Sequence, residues 1–179
     1  MRTAHPTVKS DLEGHYRRWD SCEKCPFFSP EKTYWRGTLP CDVIFISGQL
    51  RIEDIIDGDK EPISGWSGRI LETIIDLTKE TSEDFSWAAV DLMACPSWTT
   101  LTRTRPPNDT DIENCWPRLV EFMEIAQAHT IVAAGSLVDE TLIADLHFPS
   151  MRSISRLSSQ KQTIEILKQA TKLANHLED

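Results

Sequence analysis

Short apolar runs alternate with longer amphipathic stretches along the chain. Val43, Ile44, Phe45 and Ile46 form an unbroken apolar run rich in β-branched residues, which predicts a strand covered on both faces. In FSWAAVDLMAC, the residues Trp87, Ala88, Ala89, Val90, Leu92 and Met93 predict a second buried strand, and HTIVAAGS predicts a third. Residues 69–79 place Ile70, Leu71, Ile74, Ile75 and Leu77 at helical spacing, as expected for a helix with one face on a sheet. A further helix is expected to start near Asp111, with Leu119, Val120, Phe122, Met123 and Ile125 as its apolar face. Helices are also expected over residues 11–22, over SLVDETLIADL and over residues 158–177, while Pro26, Pro30, Gly37 and Pro40 mark an irregular stretch. This alternation predicts an α/β fold with a mostly parallel sheet and helices on both sides.

Two features interrupt the pattern. After Ile46 the chain enters a long loop, where Gly48, Gly58, Gly65 and Gly68 are four of only seven glycines. The carboxyl end of a strand in an open α/β sheet is the usual place for a ligand, so this loop is the expected active site, with a flexible connector as the alternative. Asp91 interrupts the second strand. A charge there either faces a site at the strand's end or has a satisfied structural partner.

With 179 residues, 40% of them hydrophobic and 26% charged, the chain suits one domain with a real core. No segment approaches the roughly 20 apolar residues that cross a membrane, and the first residues lack the apolar centre of a signal peptide. A cytoplasmic monomer is expected. The net charge of −9 argues against indiscriminate adhesion to nucleic acid. Local contacts survive that argument: Arg103 and Arg105 share a loop and Arg152 and Arg156 flank MRSISR, which makes them candidate phosphate contacts or, taken singly, ordinary solvated arginines.

Cys22 and Cys25 form a CxxC pair, and Cys95 and Cys115 stand at the two ends of a loop of 19 residues. In a reducing compartment such a set reads as a metal or redox site. Four thiolates bind zinc or an iron–sulfur cluster, and the spacing alone does not choose. Cys41, just before the first strand, is expected to be an inert thiol outside the set.

Taken together, CEKC at Cys22–Cys25, GQLRIED at Gly48–Asp54, PISGWSG at Pro62–Gly68, DLMAC at Asp91–Cys95, DIENC at Asp111–Cys115, AAGSL at Ala133–Leu137 and HFPS at His147–Ser150 follow an order that resembles the family-4, iron–sulfur uracil-DNA glycosylases. The family's counterparts are a CxxC, GEAPGxxED, PFVGxAG, NxxKC, a cysteine after an acidic residue and isoleucine, an LG turn and an HPS loop. The resemblance covers nearly the whole chain. It implies a three-layer α/β/α fold over residues 1–179 with a central, mostly parallel four-stranded sheet, and a [4Fe–4S] cluster of structural role on Cys22, Cys25, Cys95 and Cys115, zinc being the alternative.

By the same resemblance the partner is DNA, and the base is flipped out and held by Gly48, Gln49, Ile63, Asp91 and His147. His147 would donate to the base as negative charge develops, and Ser150 would touch DNA beside it. The departures alter the chemistry. Gln49 replaces a glutamate and cannot be a general base, leaving Glu53 or Asp54 as the carboxylate nearest in sequence. Asp91 replaces an asparagine; an ionised carboxylate only accepts, which suits the exocyclic amine of cytosine rather than O4 of uracil. Ile63 replaces the phenylalanine that stacks on the base. The expected activity is therefore excision of a modified, cytosine-like base, bulky as in some viral genomes, in antiviral defence. The alternatives are uracil excision in DNA repair and a catalytically inactive DNA-binding member.

Overall fold

In a computed structural model of the chain, which describes residues 6–26, 32–56, 60–81, 85–100, 103–135, 138, 150–151, 164–165 and 168, one α/β sheet organises the fold. The elements in order are α1 (Pro6–Trp19), β1 (Trp35–Gly37), β2 (Val43–Gln49), α2 (Ile52–Ile56), α3 (Trp66–Thr81), β3 (Trp87–Met93), β4 (Trp98–Thr100), β5 (Arg103–Thr104), α4 (Asp109–Ala126), β6 (Thr130–Ala134) and β7 (Ser150–Met151). The sheet is open and mixed, in the order β1-β3-β2-β6-β7. β2 runs parallel to β3 and β6, β7 runs parallel to β6, and β1 is antiparallel to β3. The three strands of the apolar pattern, β2, β3 and β6, are joined by β7, in the stretch read as a loop, and by the short edge strand β1, in a stretch that its prolines and glycine marked as irregular. Its edge position explains why periodicity missed it: three residues, half-buried or exposed, carry no apolar run.

β2 shows why its apolar run is unbroken. Val43, Ile44, Phe45 and Ile46 are all fully buried, and alternate side chains point to opposite faces. Ile44 and Ile46 join Leu119 and Phe122 of α4 and Val8 of α1 in one cluster; Val43 and Phe45 join Leu71, Ile74 and Ile75 of α3 in another. Each such side chain stabilises the fold by roughly 1.5–3 kcal/mol. The two faces are therefore sealed by different helices, and the sheet's ligand-accessible region is confined to its ends.

β3 has the bounds its apolar pattern predicts, and α3 starts three residues before the expected Arg69. α4 begins at Asp109 because Asn108 caps it: the Asn108 side chain accepts from the Asp111 amide at 2.9 Å while the Asp111 carboxylate accepts from the Asn108 amide at 3.0 Å. The helix expected over 11–22 lies earlier, ending at Trp19, so Cys22 and Cys25 fall in the following turn. The expected helices over 136–146 and 158–177 lie almost wholly outside the described residues; Val138, Ile164, Glu165 and Lys168 are helical. Among the described residues no helix is long and apolar enough to cross a membrane.

Candidate functional site

β2 and β3 are parallel, so their carboxyl ends share one edge of the sheet, where Ser47 is registered against Asp91 and Gln49 against Met93. Three groups of residues meet at that edge. They are the carboxylate of Asp91, the loop from Leu50 to Gly68, and a recess lined by cysteines.

Asp91 is completely buried inside β3, with Leu92 and Met93 still to follow in the strand. One carboxylate oxygen accepts from the Ser47 hydroxyl and the other from the Thr33 hydroxyl at 3.0 Å. Of the two outcomes that the strand pattern left open, the structure shows the satisfied structural partner. Burial pushes the Asp91 carboxyl up to about 6, against the opposing pull of the Ser47 and Thr33 hydrogen bonds.

Gln49 is committed in the same way. Its amide nitrogen donates to the Arg105 carbonyl at 2.8 Å, and its amide oxygen accepts from the Ser97 hydroxyl at 2.6 Å. Strand β2 is thereby tied to the loop between Cys95 and Cys115, where β4 and β5 form a small antiparallel pair that the sequence pattern did not show. Arg105, a candidate phosphate contact, instead donates to the Asp111 carboxylate at 2.6 Å and to the Pro106 carbonyl at 2.8 Å. An ion pair that also serves a helix cap leaves this guanidinium poorly placed to neutralise phosphate.

The glycine-bearing loop contains the short helix α2 and turns inward on itself. Asp54, almost fully buried, accepts from the Arg51 amide at 3.0 Å with one oxygen and from the Gly65 amide at 2.8 Å with the other. It clamps the loop to the start of α3 rather than standing ready as a base. A Cβ on Gly68 would lie 1.9 Å from the Ile63 carbonyl oxygen, and one on Gly65 would lie 2.8 Å from the Glu53 carbonyl. These glycines allow backbone to lie on backbone. Ile63, expected at the floor of a base pocket, is only 2% exposed and packs in the core with Phe45 and Leu71. Its φ of 53° is rare for a β-branched residue, and Arg36 holds it by donating to the Pro62 carbonyl at 2.8 Å and the Ile63 carbonyl at 2.5 Å. Gly48 is half-buried at the end of β2.

Cys22, Cys25, Cys95 and Cys115 all line one recess, together with Met93, Ala94 and Arg118. They arrive from three places: the turn after α1, the end of β3 and the second turn of α4. The Asn114 side chain donates to the Lys24 carbonyl at 3.2 Å, which holds the CxxC turn against α4. None of the five cysteines is in a disulfide. Cys41 is excluded as expected: it is buried in the core, and burial pushes its thiol up to about 12.

No group of three or more His, Cys, Asp or Glu side chains among the described residues is arranged to hold a metal ion as it stands. The donor set nevertheless fits one. Four soft sulfurs on one recess, with the buried Arg118 guanidinium beside them, are the donor type that zinc or iron and sulfide take.

No protein-family model matches this chain, and no curated protein matches it.

His147, Arg152 and Arg156 lie outside the described residues. Ser150 is placed by its backbone, paired with Ala133 in β7, and Arg103 by its backbone in β5. Nothing in the linear pattern marked Thr33 or Ser97, because their partners are 58 and 48 positions away. Arg118 had a local signal: three residues after Cys115 on a helix, it shares that cysteine's face.

Proposed function

We propose that the chain is a DNA glycosylase of the uracil-DNA glycosylase-like kind, with a three-layer α/β/α fold and a structural [4Fe–4S] cluster on Cys22, Cys25, Cys95 and Cys115. It would flip a modified, cytosine-like base out of DNA and hydrolyse its N-glycosidic bond, leaving an abasic site, as a factor of antiviral defence. One observation carries the reading: four cysteines from three segments line a single recess at the carboxyl end of β3. The cluster would supply cross-linking where the segments have little core of their own.

In this reading the chain's residues do limited chemistry. Gln49 fixes the loop carrying Ser97 and Arg105 over the strand ends, and His147 donates to the departing base. Asp91 selects the exocyclic amine if Ser47 or Thr33 yields its place to the base. Gln49 is an amide and Asp54 is engaged by the Arg51 and Gly65 amides, which fits a bond that breaks dissociatively.

A specific observation favours a second reading, a non-catalytic DNA-binding member: the polar atoms of Gln49, Asp54 and Asp91 are all engaged in internal hydrogen bonds. One assay separates the two. Purified protein is incubated with duplexes carrying hydroxymethylated cytosine, glucosylated cytosine or uracil, and abasic sites are read by alkaline cleavage. Cleavage of the modified-cytosine DNA that falls at least tenfold in His147→Ala supports the glycosylase. Cleavage of uracil DNA alone returns the protein to uracil repair, and DNA retention without any cleavage establishes the binding module.

A further inference from the structure

Arg118 is the largest fully buried side chain among the described residues, 1% exposed, and it lines the recess of the four cysteines. Two of its three nitrogens are used. Nε donates to Cys115 Sγ at 3.4 Å, and Nη2 donates to the main-chain carbonyls of Asp91 and of Leu92, the latter at 3.1 Å. Nη1 is buried and has no hydrogen-bond partner. None of these contacts is to a carboxylate: Asp91, whose carbonyl Arg118 contacts, gives its carboxylate oxygens to Ser47 and Thr33. The Asp91 carboxylate acts on Arg118 only through space. A guanidinium cannot shed its proton, so its burial without a directly bonded anion is unfavourable.

The other cations at the recess differ. Lys32 donates to the Trp19 and Asp20 carbonyls, at 2.9 Å to the first, and Lys24 is exposed, with its ammonium 5.3 Å from the Trp19 ring. Among the described cations lining the recess, only Arg118 is fully removed from water.

We propose that Arg118 is the built-in counter-cation of a dianionic four-thiolate metal centre. Four thiolates around one zinc ion, or around an oxidised [4Fe–4S] core, leave roughly two net negative charges. Arg118 compensates part of that charge from the protein side, and the centre in turn supplies the directly contacting anion that Arg118 lacks. It is a positioning and charge-balancing residue, not a ligand. The inference rests on the four cysteines being metal ligands, but it holds for either metal group.

The test uses the full chain, anaerobically reconstituted with ferrous iron and sulfide or with zinc, as wild type, Arg118→Met and Arg118→Lys. Metal release to excess chelator and thermal midpoint with and without metal are measured for each. For Arg118→Met, release at least tenfold faster is expected, together with a metal-free midpoint equal to or above that of wild type, because an unpaired buried charge has been removed. This opposite response of the two states is what a merely structural arginine would not produce. Arg118→Lys, which keeps the charge, is expected to release metal within about threefold of wild type. The proposal is overturned if Arg118→Met is destabilised equally with and without metal or fails to fold metal-free, since Arg118 would then serve only the Asp91 and Leu92 carbonyls. It is overturned equally if Arg118→Lys releases metal as fast as Cys115→Ser. A wild type that takes up neither metal group removes the anion, and the cysteine reading falls with it; normal uptake with an indifferent Arg118 removes this inference alone.

Discussion

The loop between Leu50 and Gly68 and the recess of the four cysteines flank the same end of the sheet, and they handle polar groups in opposite ways. In the loop, Asp54 is buried and its two oxygens are taken by the Arg51 and Gly65 amides, while Gly68 lets the chain close on the Ile63 carbonyl. In the recess, a buried guanidinium leaves Nη1 without a partner beside four sulfurs. A buried polar group that is satisfied by its neighbours holds structure; one that is not satisfied asks for a ligand. The glycines drew attention to the loop, but the unmet demand lies in the recess.

Three substitutions can break or sharpen this contrast. The largest effect is expected from Gly68→Ala. Its Cβ would stand 1.9 Å from a backbone oxygen that Arg36 also holds, so destabilisation of about 3 kcal/mol or more is expected in urea unfolding. A variant of wild-type stability would show that the loop moves freely, and would restore it as a ligand loop.

Asp54→Ala should come next, at about 2 kcal/mol, because it strands the Gly65 and Arg51 amides. Metal content should be unchanged. If Asp54→Ala abolished base excision at wild-type stability, the clamp would have to be read as a catalytic carboxylate after all.

The smallest effect at neutral pH is expected from Asp91→Asn, whose amide can donate to Thr33 while Thr33 turns towards the Ala94 carbonyl, 3.5 Å away. Its signature is pH dependence. The folded protein holds the Asp91 proton up to about 6, against an ordinary value of 3.8. Between these values the folded state binds more protons than the unfolded state. The stability from this group is therefore complete below about pH 4 and is lost as pH rises through about 6. Urea midpoints of wild type should fall over that window relative to those of Asp91→Asn; parallel curves would mean that Asp91 ionises as freely folded as unfolded.

Legibility along the chain followed the range of the interactions. The apolar run from Val43 to Ile46 announced a strand covered on both faces, and the run from Trp87 to Met93 gave the bounds of β3, because a strand with two buried faces writes its pattern locally. The four cysteines were legible as a set, since their chemistry is rare enough to count. Ile63, Arg105 and Asp54 were not legible, because motif position says nothing about where a side chain points. Ile63 turned into the core, Arg105 onto Asp111, and Asp54 onto its own loop.

By itself, then, the sequence determined the α/β alternation and the set of four cysteines distinct from Cys41. Those depend on composition and on periods of a few residues. Only the tertiary structure decided that three separate segments bring those cysteines to one recess, that Asp91 is partnered by Thr33 and Ser47, and that Arg118 is buried beside sulfur with a nitrogen unused. Partnership and burial are properties of the folded neighbourhood, and the neighbours concerned are dozens of residues apart in the chain.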